Sequence, residues 1–374
     1  MAAIKKILLV SSAFYPEISP RSFRATELAK EFYRQGHRVT VISKFRDYDY
    51  SDFLREYSLT FKMWKKPMFP KFPDFKQKHF NFLSNGILRV FSILFEYPAI
   101  EEMFLVKKIL MNENRFDLMI SFAVPYPVHW GTAWARSEKH RIADIWVADC
   151  GDPYMGDVLD SFRKLFYFKY LEKWFCRKAD CISIPVESAR AGYYSEFHRK
   201  IKIIPQGFDF DLNKNDSETY LNEIPTFAYA GGFLKGIRDP RLLMEYLLVL
   251  ELPFRFLVFT KNAEILGEYK IKLKDKLIMS GYIPRNELMK VLSKVDFLIN
   301  FDNNTTLNSP SKLIDYAIIN KPVLNIIKEF NGEDLLSFFK GDYRKQMILP
   351  RPKQYHIKNV AQQFLNLRID TLIE

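Results

Sequence analysis

Short apolar runs alternate with helix-length amphipathic stretches along nearly the whole chain. That alternation predicts a parallel sheet with crossover helices on both of its faces. In the first half, strands are expected at Ile7 to Ser11, Arg38 to Ser43, Phe116 to Ser121, Ile145 to Asp149, Asp180 to Ile184 and Lys202 to Ile204. In the second half, they are expected at Phe227 to Ala230, Arg255 to Thr260, Lys276 to Met279, Phe297 to Asn300, Val323 to Ile326 and Met347 to Leu349. The pattern predicts an α/β protein of two doubly wound, Rossmann-like halves facing a central cleft, which is the expected ligand site.

Two stretches lack a period. Residues 45–86 carry aromatics, lysines and prolines at no steady spacing, and an irregular run of that length reads as an insertion with a task of its own. Asn213, Asn215, Asp216 and Ser217 form a polar stretch that reads as a linker. The expected division is therefore 1–206, 207–352 and a terminal segment, 353–374. That segment has Ile357, Val360, Phe364, Leu367 and Ile369 at helical spacing and is expected to pack back on the first half.

A length of 374 residues exceeds the usual size of one domain, so each half can bury its own core. Cys150, Cys176 and Cys181 show neither metal-ligand spacing nor a disulfide framework, so no metal site and a reducing cytoplasm are expected. Lys5-Lys6 precedes an apolar run, Ile7 to Val10, too short for a secretory signal. No run approaches the ~18 apolar residues of a membrane-spanning helix, so a soluble or peripheral protein is expected.

The net charge of +12 points to nucleic acid, an anionic membrane or a phosphorylated substrate. Residues 62–89 hold seven Lys or Arg against one acid, Asp74, and supply half of that excess. Trp64, Phe69, Phe72, Phe75, Phe80 and Phe82 are interleaved with them, a mixture suited to the anionic inner face of the plasma membrane. A solvated loop with a few anchoring aromatics is the other reading. No nucleic-acid motif accompanies the segment, so nucleic acid is not an expected partner.

Candidate chemistry gathers at expected strand ends. The run Ser309-Pro310-Ser311-Lys312-Leu313-Ile314-Asp315-Tyr316 follows the apolar stretch Phe297 to Phe301, which places it at the carboxyl end of a parallel strand, where open α/β sheets bind ligands. Its loop amides and first helical turn suit an anion, and Asp315 suits a ribose hydroxyl. The strand ending at Ala230 runs into Gly231-Gly232, with Lys235 and Arg238 close behind. Glycines let the backbone approach a phosphate, and cations neutralise a diphosphate leaving group. Lys261 is a further cation beyond the next strand. In the first half, His129 lies just past a strand end, suited to a sugar hydroxyl, to the acceptor, or to a capped and partly buried role. Asp149 and Asp152 close the following strand. Either carboxylate suits orienting a hydroxyl or serving as a base, although Asp152-Pro153 is also an ordinary turn initiator.

Ser309 to Asp315 followed by Lys321-Pro322-Val323-Leu324, the opening unit from Ile7 to Ile42, and the stretch from Asp149 to Asp180 together resemble the GT-B glycosyltransferases, in particular the large retaining family numbered four. The resemblance implies a nucleoside diphosphate sugar donor, a lipid-linked or saccharide acceptor, retention of configuration, no metal cofactor, and a place in cell-surface polysaccharide assembly. It also implies Lys235 and Arg238 on the diphosphate, Gly231, Gly232, Ser309, Ser311, Lys312 and Leu313 around it, Tyr282 and Ile283 near the base, Asp315 on the ribose, His129 on the sugar and Asp152 beside the acceptor. The chain departs from the family pattern twice. Ser19-Pro20-Arg21-Ser22 replaces a glycine pair, so Arg21 or Arg24 is expected either to act in place of backbone amides or simply to line a basic helix start. Leu307 stands where the first of two glutamates would be, with Asn303, Asn304 and Thr305 nearby to compensate. Two other function classes stay open on these residues: a non-catalytic sugar-nucleotide binding or complex-forming protein, and a nucleotide-sugar epimerase on the same fold.

Overall fold

The computed structural model describes residues 3–69, 89–156, 163–210, 222–281, 283–302, 312–327 and 330–368. The chain divides into two compact units, Met1–Asp209 with Tyr355–Glu374, and Phe210–Gln354. The division therefore comes slightly later than position 206 at one side and position 352 at the other.

The first unit holds a fully parallel sheet in the order β3-β2-β1-β4-β5-β6-β7. Its strands are β1 Lys6–Ser11, β2 Arg38–Ser43, β3 Thr60–Met63, β4 Phe116–Phe122, β5 Ala143–Asp149, β6 Cys181–Ile184 and β7 Ile201–Ile203. Its helices are α1 Pro20–Arg34, α2 Ser51–Glu56, α3 Glu101–Leu110, α4 Pro127–Ala135 and α5 Phe168–Lys178. Central strands such as β1, apolar from Ile7 to Val10 and buried from Ile7 to Ser11, are as expected where helices cover both faces. Ser19 caps α1 by accepting from the Ser22 amide at 3.2 Å, and Pro20 takes the first turn, where its missing N–H costs nothing.

The second unit holds a parallel sheet in the order β10-β9-β8-β11-β12. Its strands are β8 Thr226–Ala230, β9 Arg255–Phe259, β10 Leu277–Ser280, β11 Phe297–Phe301 and β12 Val323–Ile326. Its helices are α6 Arg241–Val249, α7 Gly267–Leu273, α8 Arg285–Leu292, α9 Lys312–Ile319 and α10 Gly332–Phe339. The last helix, α11 Ile357–Leu365, returns to the first unit, where Ile357, Val360, Ala361 and Phe364 share a core with Ile7, Leu28 and Phe32.

Two expectations need correction. The supposed insertion does not begin at residue 45, because α2 and β3 continue the strand-helix alternation and β3 pairs in parallel with β2. Phe53 and Tyr57 of that segment pack with Phe14. Its basic and aromatic character is partly internal: Trp64 is buried, and Lys62 is paired with Glu113 at 2.5 Å. Residues 70–88 lie outside the described residues. Met347 to Leu349 is not a strand. Only the Met347 amide reaches β12, at the Val323 carbonyl, while Ile348 is 93% exposed and Pro350 and Pro352 cannot donate to a ladder.

Candidate functional site

In the second sheet the strand order reverses between β8 and β11, so the crevice at their carboxyl ends is the place an open α/β sheet offers a ligand. The two strands pair at Phe227 with Phe297 and at Ala228 with Leu298. Further along, the Tyr316 hydroxyl bridges them, accepting from the Ala230 amide at 3.1 Å and donating to the Ile299 carbonyl at 3.1 Å. One phenol thus holds the sheet where it opens.

Gly231 follows β8 with φ +154, in the region glycine favours. A Cβ there would lie 2.9 Å from the Tyr229 hydroxyl oxygen and 3.7 Å from Cδ of Lys312. The Tyr229 hydroxyl is fixed by donating to the Gly232 carbonyl at 2.9 Å. Asn262, three residues past β9, secures the same loop, its amide group donating to the Phe233 carbonyl at 2.7 Å and accepting from the Phe233 amide at 3.2 Å.

Over this floor stand two cations. Lys312, the first residue of α9, places Nζ 4.6 Å from the centre of the Tyr229 ring. Nζ of Lys312 and Nε of Arg238 are both buried, and neither has a hydrogen-bond partner among the described residues. Burial lowers the Lys312 pKa to about 7; the Arg238 charge pushes the same way, and Asp302 opposes it. Arg238 is placed by a tight turn in which its carbonyl accepts from the Leu234 amide at 3.1 Å. Nearby Asp239 does not serve it as a partner, because Arg241 and the Gly236 amide take that carboxylate and hold it well below the usual carboxylate range. Buried donors without acceptors are costly and uncommon, and two adjacent cationic ones describe a receptor for an anion.

Asp315 lies one turn into α9. Arg285 of α8 donates to its Oδ1 twice, from Nε at 2.9 Å and from a terminal nitrogen at 2.6 Å. Burial raises the Asp315 pKa, and the Arg285 charge and hydrogen bonds work against that rise. Neither bond uses Oδ2.

The remaining expected residues are placed less directly. Gly232 is half-buried in the loop, Lys235 is exposed beside Arg238, Lys261 is exposed at the end of β9 and Ile283 is half-buried ahead of α8. The Leu313 side chain belongs to the apolar core with Ala228, Leu298 and Val323, so only its backbone is available to a ligand. Tyr282, Ser309 and Ser311 lie outside the described residues, as do Asn303, Asn304, Thr305 and Leu307. Tyr229, Asn262, Arg285 and Tyr316 belong to this cluster and were not singled out from the sequence.

In the first unit, His129 departs from the expected role. It is fully buried, with Nδ1 2.8 Å from the Ser121 hydroxyl and Nε2 3.5 Å from the Cys150 sulfur. Burial lowers its pKa to about 3, so the ring is neutral and engaged on both sides. Asp149 is also committed. It accepts from Arg24 at 2.6 and 2.7 Å and from the Ser183 hydroxyl at 2.6 Å. Arg24 is thereby fixed inside the unit, leaving Arg21, which is partly exposed and 3.8 Å from Asp149, to face outward across Gly151, where a Cβ would collide with its guanidinium. Asp152 is exposed on the loop after β5, its carbonyl accepting from the Tyr126 hydroxyl. Among the described residues no group of three or more His, Cys, Asp or Glu is placed to hold a metal ion.

A family model described as Glycosyltransferase Family 4 matches residues 23–212, more than half of the chain. The chain belongs to that family. Solved structures share the fold of this family 4 protein across almost its whole length. The apo form of the lipopolysaccharide outer core galactosyltransferase WaaB is 10% identical, with 96% of this chain and 98% of that one covered and a TM-score of 0.56. Anabaena Alr3699/HepE in complex with UDP is 13% identical, with 98% and 96% covered and a TM-score of 0.56. The UDP-GlcNAc 2-epimerase of Methanocaldococcus jannaschii is 12% identical, with 96% and 98% covered and a TM-score of 0.54. A search of curated protein sequences finds no match. The two parallel-sheet units are those of the GT-B fold.

Proposed function

We propose that this family 4 protein moves a sugar from a nucleoside diphosphate donor to a lipid-linked or saccharide acceptor, with retention, in the assembly of a cell-surface polysaccharide. The observation that carries the proposal is the pair of buried cationic nitrogens, on Lys312 and Arg238 at the β8–β11 switch point, that have no hydrogen-bond partner among the described residues. In this reading the diphosphate lies between them over Gly231 and Gly232, with Lys235 at the exposed side. Oδ2 of Asp315 accepts from the ribose, and the backbone at Tyr282 and Ile283 borders the base. UDP is the first nucleotide to test, because HepE, which shares the fold, was crystallised with it.

Transfer breaks the bond between the anomeric carbon and the diphosphate oxygen and forms one to the acceptor oxygen. The acceptor proton passes to the departing phosphate oxygen. Negative charge grows on that oxygen as the bond breaks, and cations already in place stabilise the growing charge more than they stabilise the ground state. Exposed Asp152 and partly exposed Arg21, near the carboxyl ends of the first sheet, are our candidates for the acceptor side.

Two rival readings have specific support. The epimerase from Methanocaldococcus jannaschii has the same fold, and Leu307 replaces a residue the resemblance leads one to expect. Incubation with UDP-sugars, with and without saccharide or membrane-extracted acceptors, separates them. Release of UDP only with acceptor supports transfer. Interconversion of the donor sugar without acceptor means epimerase, and binding without turnover means a non-catalytic protein.

We further propose that the protein works against the cytoplasmic membrane face, through residues 89–98 and 163–170 more than through 62–66. The two segments are joined by a hydrogen bond from the Tyr167 hydroxyl to the Leu94 carbonyl and by the Lys164–Glu96 pair. They expose Phe95 by 53%, Phe166 by 71% and Tyr170 by 61%, beside Arg163 and Lys169. No helix among the described residues is long and apolar enough to cross a membrane. Sedimentation with phosphatidylglycerol vesicles should fall sharply for Phe95→Ser with Phe166→Ser, and unchanged binding would contradict this placement.

A further inference from the structure

We propose that the diphosphate site is loaded together with a proton: above neutral pH Lys312 is largely uncharged in the ligand-free protein, gains a proton as the diphosphate binds, and gives it up when the nucleoside diphosphate leaves. This rests on the reading of the crevice as a diphosphate site, and goes beyond it by assigning Lys312 two charge states.

The surroundings of Nζ force the choice. An ammonium group needs acceptors for three N–H donors, yet Nζ is buried with no hydrogen-bond partner among the described residues. Beneath it lies the Tyr229 ring at 4.6 Å, a weaker partner than an oxygen acceptor. On the β8 side it lies near half-buried Arg238, whose Nε is also buried and without a hydrogen-bond partner among the described residues, and a guanidinium keeps its charge throughout this pH range.

The acids around it are few. Asp302, at the end of β11, is the carboxylate that acts on Lys312. Asp315, on the same helix, is bound by Arg285, and Asp239 by Arg241 and the Gly236 amide. The sequence from 303 to 311, Asn-Asn-Thr-Thr-Leu-Asn-Ser-Pro-Ser, contains no acid. A buried ammonium beside a like charge sheds its proton, because desolvation and repulsion both favour the neutral amine. The lowering of the Lys312 pKa to about 7 agrees with that geometry. A diphosphate offsets the desolvation and the repulsion together by supplying acceptor oxygens and negative charge to the same nitrogen. Arg238 supplies the permanent charge that attracts the ligand, and Lys312 the conditional one.

The test is calorimetry of UDP binding at pH 8.5 in two buffers of different protonation enthalpy, where UDP itself is fully ionised. The wild-type protein should take up about one proton per UDP, and its Kd should rise by up to about tenfold between pH 7.5 and pH 8.5. Lys312→Arg, which keeps the charge at every pH in this range, should bind UDP with no uptake and no such rise. UDP binding by the wild type without proton uptake would overturn the coupling while leaving the diphosphate site standing. No binding of UDP, GDP or dTDP at either pH would overturn both.

Discussion

The hydroxyl of Tyr316 accepts a hydrogen bond from the amide of Ala230 at 3.1 Å, just where β8 ends and the glycine loop begins. The same hydroxyl donates to the Ile299 carbonyl at 3.1 Å, so one oxygen satisfies two buried backbone groups and ties α9, the helix that carries Lys312, to the opening of the sheet. Tyr316→Phe should leave both groups unsatisfied and cost about 1–3 kcal/mol, read as a lower urea midpoint, and should weaken UDP binding. Unchanged values for both would show the bridge to be dispensable.

Gly231 and Gly232 should respond differently to alanine. At Gly231 the new Cβ meets the fixed Tyr229 hydroxyl at 2.9 Å with φ at +154, whereas at Gly232 it meets only the Asn262 Oδ1, at 3.5 Å. Gly231→Ala should therefore cost about 1–3 kcal/mol of stability and lower UDP affinity, because Tyr229 is the floor under Lys312. Gly232→Ala should stay within about 1 kcal/mol of the wild type. Equal effects at the two positions would contradict the packing described.

In the proposed reading Asp315 binds the ribose through Oδ2, since the bonds it accepts from Arg285 at 2.9 and 2.6 Å end on Oδ1. Asp315→Ala should weaken nucleotide binding by at least about 1 kcal/mol. It should also erase any preference for UDP over 2′-deoxy-UDP, a comparison that general loss of fold would not produce. A variant that binds as tightly as the wild type would remove Asp315 from the site.

Glu172 of α5 gives the first unit a pH dependence. It is fully buried, Oε1 accepts from the Met155 amide at 3.5 Å and Oε2 has no partner among the described residues. Burial raises its pKa from 4.5 to about 7. The folded chain therefore holds a proton that the unfolded chain has lost between those values, so stability falls as pH rises from about 4.5 to about 7 and is level above that. Glu172→Gln should remove the slope and be more stable than the wild type at pH 8 by up to about 3 kcal/mol. Parallel stability curves for the two proteins would contradict the assignment.

The apolar runs of β1, β4 and β11 were legible because a strand covered on both faces must be apolar throughout. β3 was not, since an edge strand alternating exposed and half-buried positions resembles an irregular aromatic loop. Met347 to Leu349 has the composition of a strand but only one ladder bond. At the candidate site, the glycine loop and the Lys312–Asp315 turn could be read because each adjoins a strand end. Tyr229, Asn262 and Arg285 could not, because only the sheet order brings β8, β9 and α8 together. His129 looked available from its place after a strand, yet Ser121 of β4 and Cys150, just after β5, engage its two ring nitrogens inside the unit.

The most direct measurement is a crystal structure of the protein with UDP. Phosphate oxygens should lie within hydrogen-bond distance of Nζ of Lys312 and Nε of Arg238, above Gly231, with the ribose at Asp315. Diphosphate density elsewhere on the molecule, with both nitrogens still unpartnered, would contradict the assignment of this crevice.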